Sequence, residues 1–194
     1  MLRKNNYIVV DVETTGLNSR KHEIIEFYGF GLYDDRELHI KIKPEKIENA
    51  EEEALAINHY HERVTAGEWR SAITAKEAAP LIAEFVKDAV LIGHYVQFDR
   101  RFLFELMRGP KLEISKRAIC TKNLSIALLE RFGLDKFDLS SVCNFLDIDL
   151  DLRLHHSAKH DALLCGEIYK KLAPLNPAIG LDLFMELTFD PNLI

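Results

Sequence analysis

Residues 7–10 (YIVV) form an unbroken apolar run that stops on a charge, Asp11. A strand that is apolar at every position must be covered on both faces, which requires a sheet interior with helices packed above and below it. Residues 24–32 (IIEFYGFGL) and 37–42 (ELHIKI) read as two further strands across the charged, turn-prone Tyr33, Asp34, Asp35 and Arg36. These three strands make an antiparallel meander. Helix-forming composition follows over residues 51–57 and 75–87, the latter with Ala79, Ile82, Ala83 and Val86 near the helical repeat. Residues 89–92 (AVLI) make a short buried strand delivering Gly93 and His94, and 99–107 then carry Phe102, Leu103 and Leu106 on one helical face. Residues 118–119 supply a short fifth strand. Helices over 122–132, 139–146 and 158–172 complete the chain, with Gly133 and Pro174 marking ends. Strands first, then strand and helix in alternation, imply an α/β domain with a mixed sheet. Its ligand site belongs outside the carboxyl ends of the strands, where Asp11 and Asp99 lie.

At 194 residues the chain fits one domain, assigned to residues 1–174, with an apolar but weakly periodic tail over 175–194 that packs on the domain or contacts a partner. Residues 1–6 are polar and basic rather than a signal segment, and no apolar run approaches the ~20 residues of a membrane helix, so no membrane partner and a cytoplasmic location are expected. Cys120, Cys143 and Cys165 are too far apart for a CxxC pair and odd in number, and read as reduced, buried residues. A net charge of −6 argues against the basic face usual in nucleic-acid binders, unless some of the 31 acids sit on cations that reverse the local field. Basic groups at Arg3/Lys4, Arg100/Arg101, Lys116/Arg117 and Lys159 are candidates to supplement it.

Four carboxylates and a histidine carry the chemistry. They are Asp11 and Glu13 in VVDVETTG, Asp99 in GHYVQFDRRFL, and His156 with Asp161 in HSAKHDA. Oxygen-only acidic clusters suit hard cations such as Mg²⁺ or Mn²⁺, and a pair of such ions can stabilise the attacking and leaving oxygens of a displaced phosphodiester. Residues two apart on a strand share a face, so Asp11 and Glu13 point into one pocket while Val12 packs the other way. His156 and Asp161 are five apart, about 140° of helical offset, and cannot face one site from within one helix. His156 therefore precedes the helix, Ser157 caps it, and Asp161 falls in its early turns. A loop imidazole beside a metal ligand suits a general base at neutral pH. His156 and His160, with His155, have spacing for part of a zinc site, but neither a cysteine pair nor an HExxH frame supports one. His22, His39, His59 and His61 read as surface or hydrogen-bonded residues. These features point to a metal-dependent nuclease.

In combination the segments resemble the DEDD exonuclease superfamily, in the branch whose third motif begins with histidine and which includes proofreading subunits of bacterial replicative polymerases. VVDVETTGL covers the first motif, GHYVQFDRRFL the second and HSAKHDALLCGEIYKKL the third, in order, from about Tyr7 to Leu172. The resemblance implies a ribonuclease H-like fold, a five-stranded mixed sheet flanked by helices. It implies that Asp11 bridges two Mg²⁺ or Mn²⁺ ions, that Glu13 and Asp161 hold the nucleophile-side ion, that Asp99 holds the second, and that His156 is the base. Thr14, Thr15, Gly16 and Leu17 match the clasp on the terminal nucleotide, with Leu17 as an apolar wedge, and His94 and Phe98 line the same pocket. The implied reaction removes nucleotides from the 3′ end of single-stranded DNA or RNA, DNA preferred, in proofreading or repair, with a polymerase or a second copy of the chain as possible partner. The alternatives are an RNA-processing exonuclease and a non-catalytic binding or polymerase-docking module. Tyr95 departs from the asparagine common after the motif histidine; it stacks on a base or packs on the sheet, and packing is favoured.

Overall fold

The computed structural model describes residues 6–149, 151 and 156–175. The first strand, β1 (Tyr7–Thr14), runs antiparallel to β2 (Ile24–Gly31), which runs antiparallel to β3 (Glu37–Lys43). Short helices α1 (Glu52–Ile57) and α2 (Tyr60–Thr65) lead to a two-residue strand, β4 (Ile73–Thr74), and then to α3 (Ala75–Phe85). Strand β5 (Val90–Gly93) feeds α4 (Gln97–Arg108), and β6 (Ala118–Cys120) feeds α5 (Thr121–Leu129). Helices α6 (Leu139–Phe145) and α7 (Ala158–Leu172) follow. The sheet order is β4-β3-β2-β1-β5-β6, with β5 parallel to both β1 and β6.

The apolar run is central, as its composition demands: Ile8, Val9 and Val10 are wholly buried. Strand periodicity then divides the core. Ile8, Val10 and Val12 pack with Ile82 and Val86 of the α3 segment and with Phe102, Leu103 and Met107 of α4. Val9 packs the other way, with Leu124 and Leu128 of α5, Val142 of α6, and Cys165 and Ile168 of α7. Asp11 and Glu13 continue the Val9 face, so the two carboxylates emerge beneath α7. A smaller cluster of Ile25, Leu55, Trp69 and Ala72 seats α1 and α2 against β2.

The sheet has six strands rather than five, because β4 pairs two residues with β3 through Ile42–Ile73 and Lys43–Thr74. Two residues carry no readable alternation, and Thr74 doubles as the N-cap of α3 in a reciprocal capping box with Glu77. Helix α2 also went unread, since a polar six-residue turn has no apolar stripe to mark it. Residues 130–132, expected as α-helix, form a 3₁₀ turn that ends at Gly133, whose φ of 93° only glycine adopts at no cost. All three cysteines are free and buried. Among the described residues no helix is long and apolar enough to cross a membrane. The tail beyond Leu175, His155 and the Arg3/Lys4 pair lie outside the described residues.

Candidate active site

The carboxyl end of β1 delivers Asp11 and Glu13, and Asp161 meets them from the first turns of α7. One ligand oxygen from each lies within 4.8 Å of the others. Ser157 caps α7 as its position predicts, accepting from the His160 N–H at 3.3 Å, and this fixes the turn from which Asp161 descends. Asp99 joins from the opposite layer. It is the third residue of α4, 3% exposed, and its Oδ1 accepts the Val12 N–H at 3.1 Å. Asp99 lies outside the tight trio, yet among the neighbouring charges it acts most strongly on Asp11.

Burial, and then mutual repulsion, pushes the carboxyls of Asp11 and Glu13 well above the usual carboxylate range. Burial alone is the leading cause of the rise in Asp99 and Asp161, both to about 7. Asp161 Oδ1 is buried and accepts no hydrogen bond among the described residues. Buried carboxylates with an orphaned oxygen are costly unless a cation meets them, so these residues fit a hard divalent ion. His156 stands at the rim, its side chain 45% exposed and Nδ1 4.0 Å from Asp161 Oδ2. Its φ of 62° is a strained value for a non-glycine residue, of the kind concentrated at working sites.

The turn after β1 is tied from several sides. Thr14 Oγ1 donates to the Gly16 carbonyl at 2.8 Å, Thr15 Oγ1 accepts the Glu23 N–H at 2.9 Å, and Asn58 Nδ2 donates to the Thr14 carbonyl at 3.0 Å. Leu17 nonetheless projects into solvent, 75% exposed. Phe98 is half-buried against Phe102, with ring centroids 4.8 Å apart. His94 has both ring nitrogens engaged, Nδ1 with Thr121 Oγ1 at 3.0 Å and Nε2 with the Phe137 carbonyl at 2.9 Å. Burial lowers its pKa, so the ring is neutral and offers a ligand its edge or face rather than a free nitrogen. Tyr95 does not pack on the sheet: between buried Gly93 and Val96 its φ of 69° turns it outward, 47% exposed, with Lys122 Nζ 5.5 Å from the ring centroid. The supplementary basic groups are largely committed elsewhere. Arg100 is buried on the inner face of α4, Arg117 donates to the Asp88 carbonyl, and Lys159 pairs with Glu37.

Sequence reasoning missed Glu26, which sits opposite Glu13 on β2 and is wholly buried. Burial raises its carboxyl, but the hydrogen bond from His39 and the charges of Lys41 and Arg63 outweigh that and hold it at about 2. The three partners lie at 2.7, 2.6 and 2.8 Å. A permanent anion thus backs the cluster and adds to the repulsion on Asp11, Glu13 and Asp161. Its signal was a charge inside an apolar strand; the register that sets it opposite Lys41 on β3 appears only in the fold. Glu26→Ala leaves the partly buried Lys41 and Arg63 with Glu68, at 3.1 and 2.9 Å, as their remaining carboxylate, and is expected to cost about 3 kcal/mol, read as a lower urea midpoint at an unchanged m-value.

Comparison with known proteins agrees with this geometry. The exonuclease family model matches residues 8–169. The chain belongs to the exonuclease family. Among similar proteins, this exonuclease is 27% identical over 191 residues to the PolC-type DNA polymerase III of Caldanaerobacter subterraneus, covering 95% of this chain and 13% of that one. It is 27% identical to the DNA polymerase III epsilon subunit of Rickettsia felis over 85% of this chain and 72% of that subunit. The chain therefore spans a small part of the polymerase it matches and most of the epsilon subunit. Its fold is that of E. coli exonuclease I, solved in complex with a dT13 oligonucleotide, at a TM-score of 0.73 and 14% identity, covering 91% of this chain and 43% of that one. Exonuclease X, solved with 5′-overhanging duplex DNA, superposes at 0.63 with 18% identity over 91% and 95%.

Proposed function

We propose that this exonuclease hydrolyses phosphodiester bonds at the 3′ end of single-stranded nucleic acid, DNA in preference to RNA, releasing nucleoside 5′-monophosphates. The observation that carries the reading is the trio of half-buried Asp11 and Glu13 with buried Asp161, backed by Asp99 and fronted by an exposed histidine. Asp11, Glu13 and Asp161 would hold one divalent cation, Mg²⁺ or Mn²⁺, and Asp11 with Asp99 would hold a second. When bound, such ions supply positive charge against the attacking and leaving oxygens.

The protein's own groups do the rest. His156 takes the proton of the attacking water, and Asp161, 4.0 Å away, stabilises the imidazolium that results. Water adds to the phosphorus of the last nucleotide, and the bond to the preceding 3′-oxygen breaks. That oxygen leaves as a hydroxyl, protonated from solvent. The tied turn from Thr14 to Leu17 receives the terminal nucleotide, with Leu17 against the base and His94 and Phe98 along the pocket wall. The epsilon relatives are named as subunits of DNA polymerase III, which supports a polymerase as partner and proofreading or repair as the setting. Residues 1–174 are the catalytic domain in this reading.

Matched DNA and RNA oligonucleotides, digested side by side with Mg²⁺ or Mn²⁺, test substrate class. Faster loss of the DNA strand is expected; faster loss of RNA reassigns the enzyme to RNA processing, and binding without shortening of either overturns catalysis.

A further inference from the structure

We propose that His22 is a positioning residue: through Glu51 it holds the Leu17 wedge in place against the 3′-terminal base. This rests on the proposed 3′-end reaction, and asks what makes its clasp rigid.

The imidazole of His22 is 6% exposed, with Nε2 3.0 Å from Glu51 Oε1. A carboxylate only accepts, so Nε2 carries the hydrogen of that contact. The other carboxylate oxygen, Glu51 Oε2, accepts the Leu17 N–H at 3.2 Å. Glu51 is bound to the same turn a second time, its own N–H donating to the Thr15 carbonyl at 2.8 Å. The imidazole face also lies against Gly16 so closely that a Cβ there would meet the ring at 2.6 Å. His22 is in turn held to the loop by its N–H, which donates to the Asn18 carbonyl at 2.9 Å. Ring, carboxylate and backbone thus fix residues 15–17 from beneath.

Fixing backbone costs conformational entropy, and an ordinary surface turn has no need of so many ties. Here the residue they present is a leucine that buries little of itself. A single exposed leucine is unexceptional, but one held rigid by a buried histidine acting through the half-exposed Glu51 is pre-organised for an apolar face, and the face available at a strand terminus is a nucleobase. Pre-organisation acts on binding of the end rather than on bond cleavage, so its loss belongs in KM.

The test measures steady-state kinetics on single strands ending in a normal nucleotide or in an abasic residue, for the full chain and for Leu17→Ala, His22→Ala, His22→Gln and Leu17→Ala/His22→Ala. The wild type is expected to prefer the base-bearing end by about tenfold in kcat/KM. Leu17→Ala should abolish that preference. His22→Ala should abolish it as well, through KM, with kcat within about twofold, and the double variant should lose nothing more, as for groups acting as one unit. His22→Gln, which retains a donor for Glu51, should keep most of the preference and guards against a folding artefact in the alanine variant. A base preference that survives in His22→Ala, or additive losses in the double variant, overturns the proposal while leaving the exonuclease reading intact. A preference unaffected by Leu17→Ala also overturns it, because no wedge is then being positioned. A wild type that shortens no strand removes the underlying reading itself.

Discussion

Asp11→Ala is expected to lower kcat/KM on a single strand by about a thousandfold or more, equivalent to ~4 kcal/mol of lost transition-state stabilisation, in a protein that still folds. Asp11 earns this prediction by position. Its carboxyl feels Asp99, Asp161 and Glu13 together, so it joins the Glu13–Asp161 side of the cluster to Asp99. Removing it separates the two halves, whereas the wholly buried run Ile8–Val10 and its packing remain. Steady-state kinetics beside a thermal melt provide the check. Activity within about tenfold of wild type, in a folded variant, would be too small a loss for a bridging ligand and would remove Asp11 from that role.

The second large effect is on stability, with an unusual sign. Asp99 and Asp161 titrate at about 7 when folded and near ~3.9 when unfolded. A folded pKa raised in this way means that the unfolded chain gives up its protons first as pH rises. The associated stability is fully present below about pH 4 and is lost as pH climbs through 7. Each group on its own would account for up to ~4 kcal/mol of that loss, and because the carboxyls repel one another the contributions do not sum. His94 and His160, whose pKa values are lowered by burial, act oppositely on the acid side. The cation-induced difference in Tm separates the two effects, since it follows the carboxylate cluster.

At pH 8 in chelator the protein should melt early, and Mg²⁺ or Mn²⁺ at about a hundred times its Kd should restore ~2.7 kcal/mol, several degrees in Tm. At pH 5.5 the same addition should do much less, because protons occupy the oxygens. Asp99→Asn, which keeps an acceptor for the Val12 N–H, should melt higher than wild type at pH 8 without metal while losing activity. An equal metal shift at both pH values, or a destabilised Asp99→Asn, contradicts this picture.

The parts of the site legible in the sequence were those governed by short periods. Alternation along β1 put Asp11 and Glu13 on one face and Val12 on the other, and the helical period moved His156 out of α7 while Ser157 capped it. Asp99 was harder to place. Helix α4 begins from Val96, which makes no side-chain cap bond, so nothing local announces that the helix starts before Asp99. Strand β4 is too short for any pattern. The largest omission was the layer behind the acidic cluster. Glu26, Lys41 and Arg63 come from β2, β3 and α2, and His22 and Glu51 from two separate loops, so each pairing exists only once the sheet order is known. A charge within IIEFYGFGL was a visible anomaly, but its partners were not.

The half-buried acidic cluster is proposed to hold divalent cations and to cut at a 3′ end. Its most direct test follows a 5′-labelled single strand, with product mononucleotides identified by chromatography, in Mg²⁺ or Mn²⁺ and in chelator. The expected result is a ladder shortening from the 3′ end with release of nucleoside 5′-monophosphates, abolished by chelation. Shortening from the 5′ end, nucleoside 3′-monophosphates, or undiminished cleavage in chelator would contradict it.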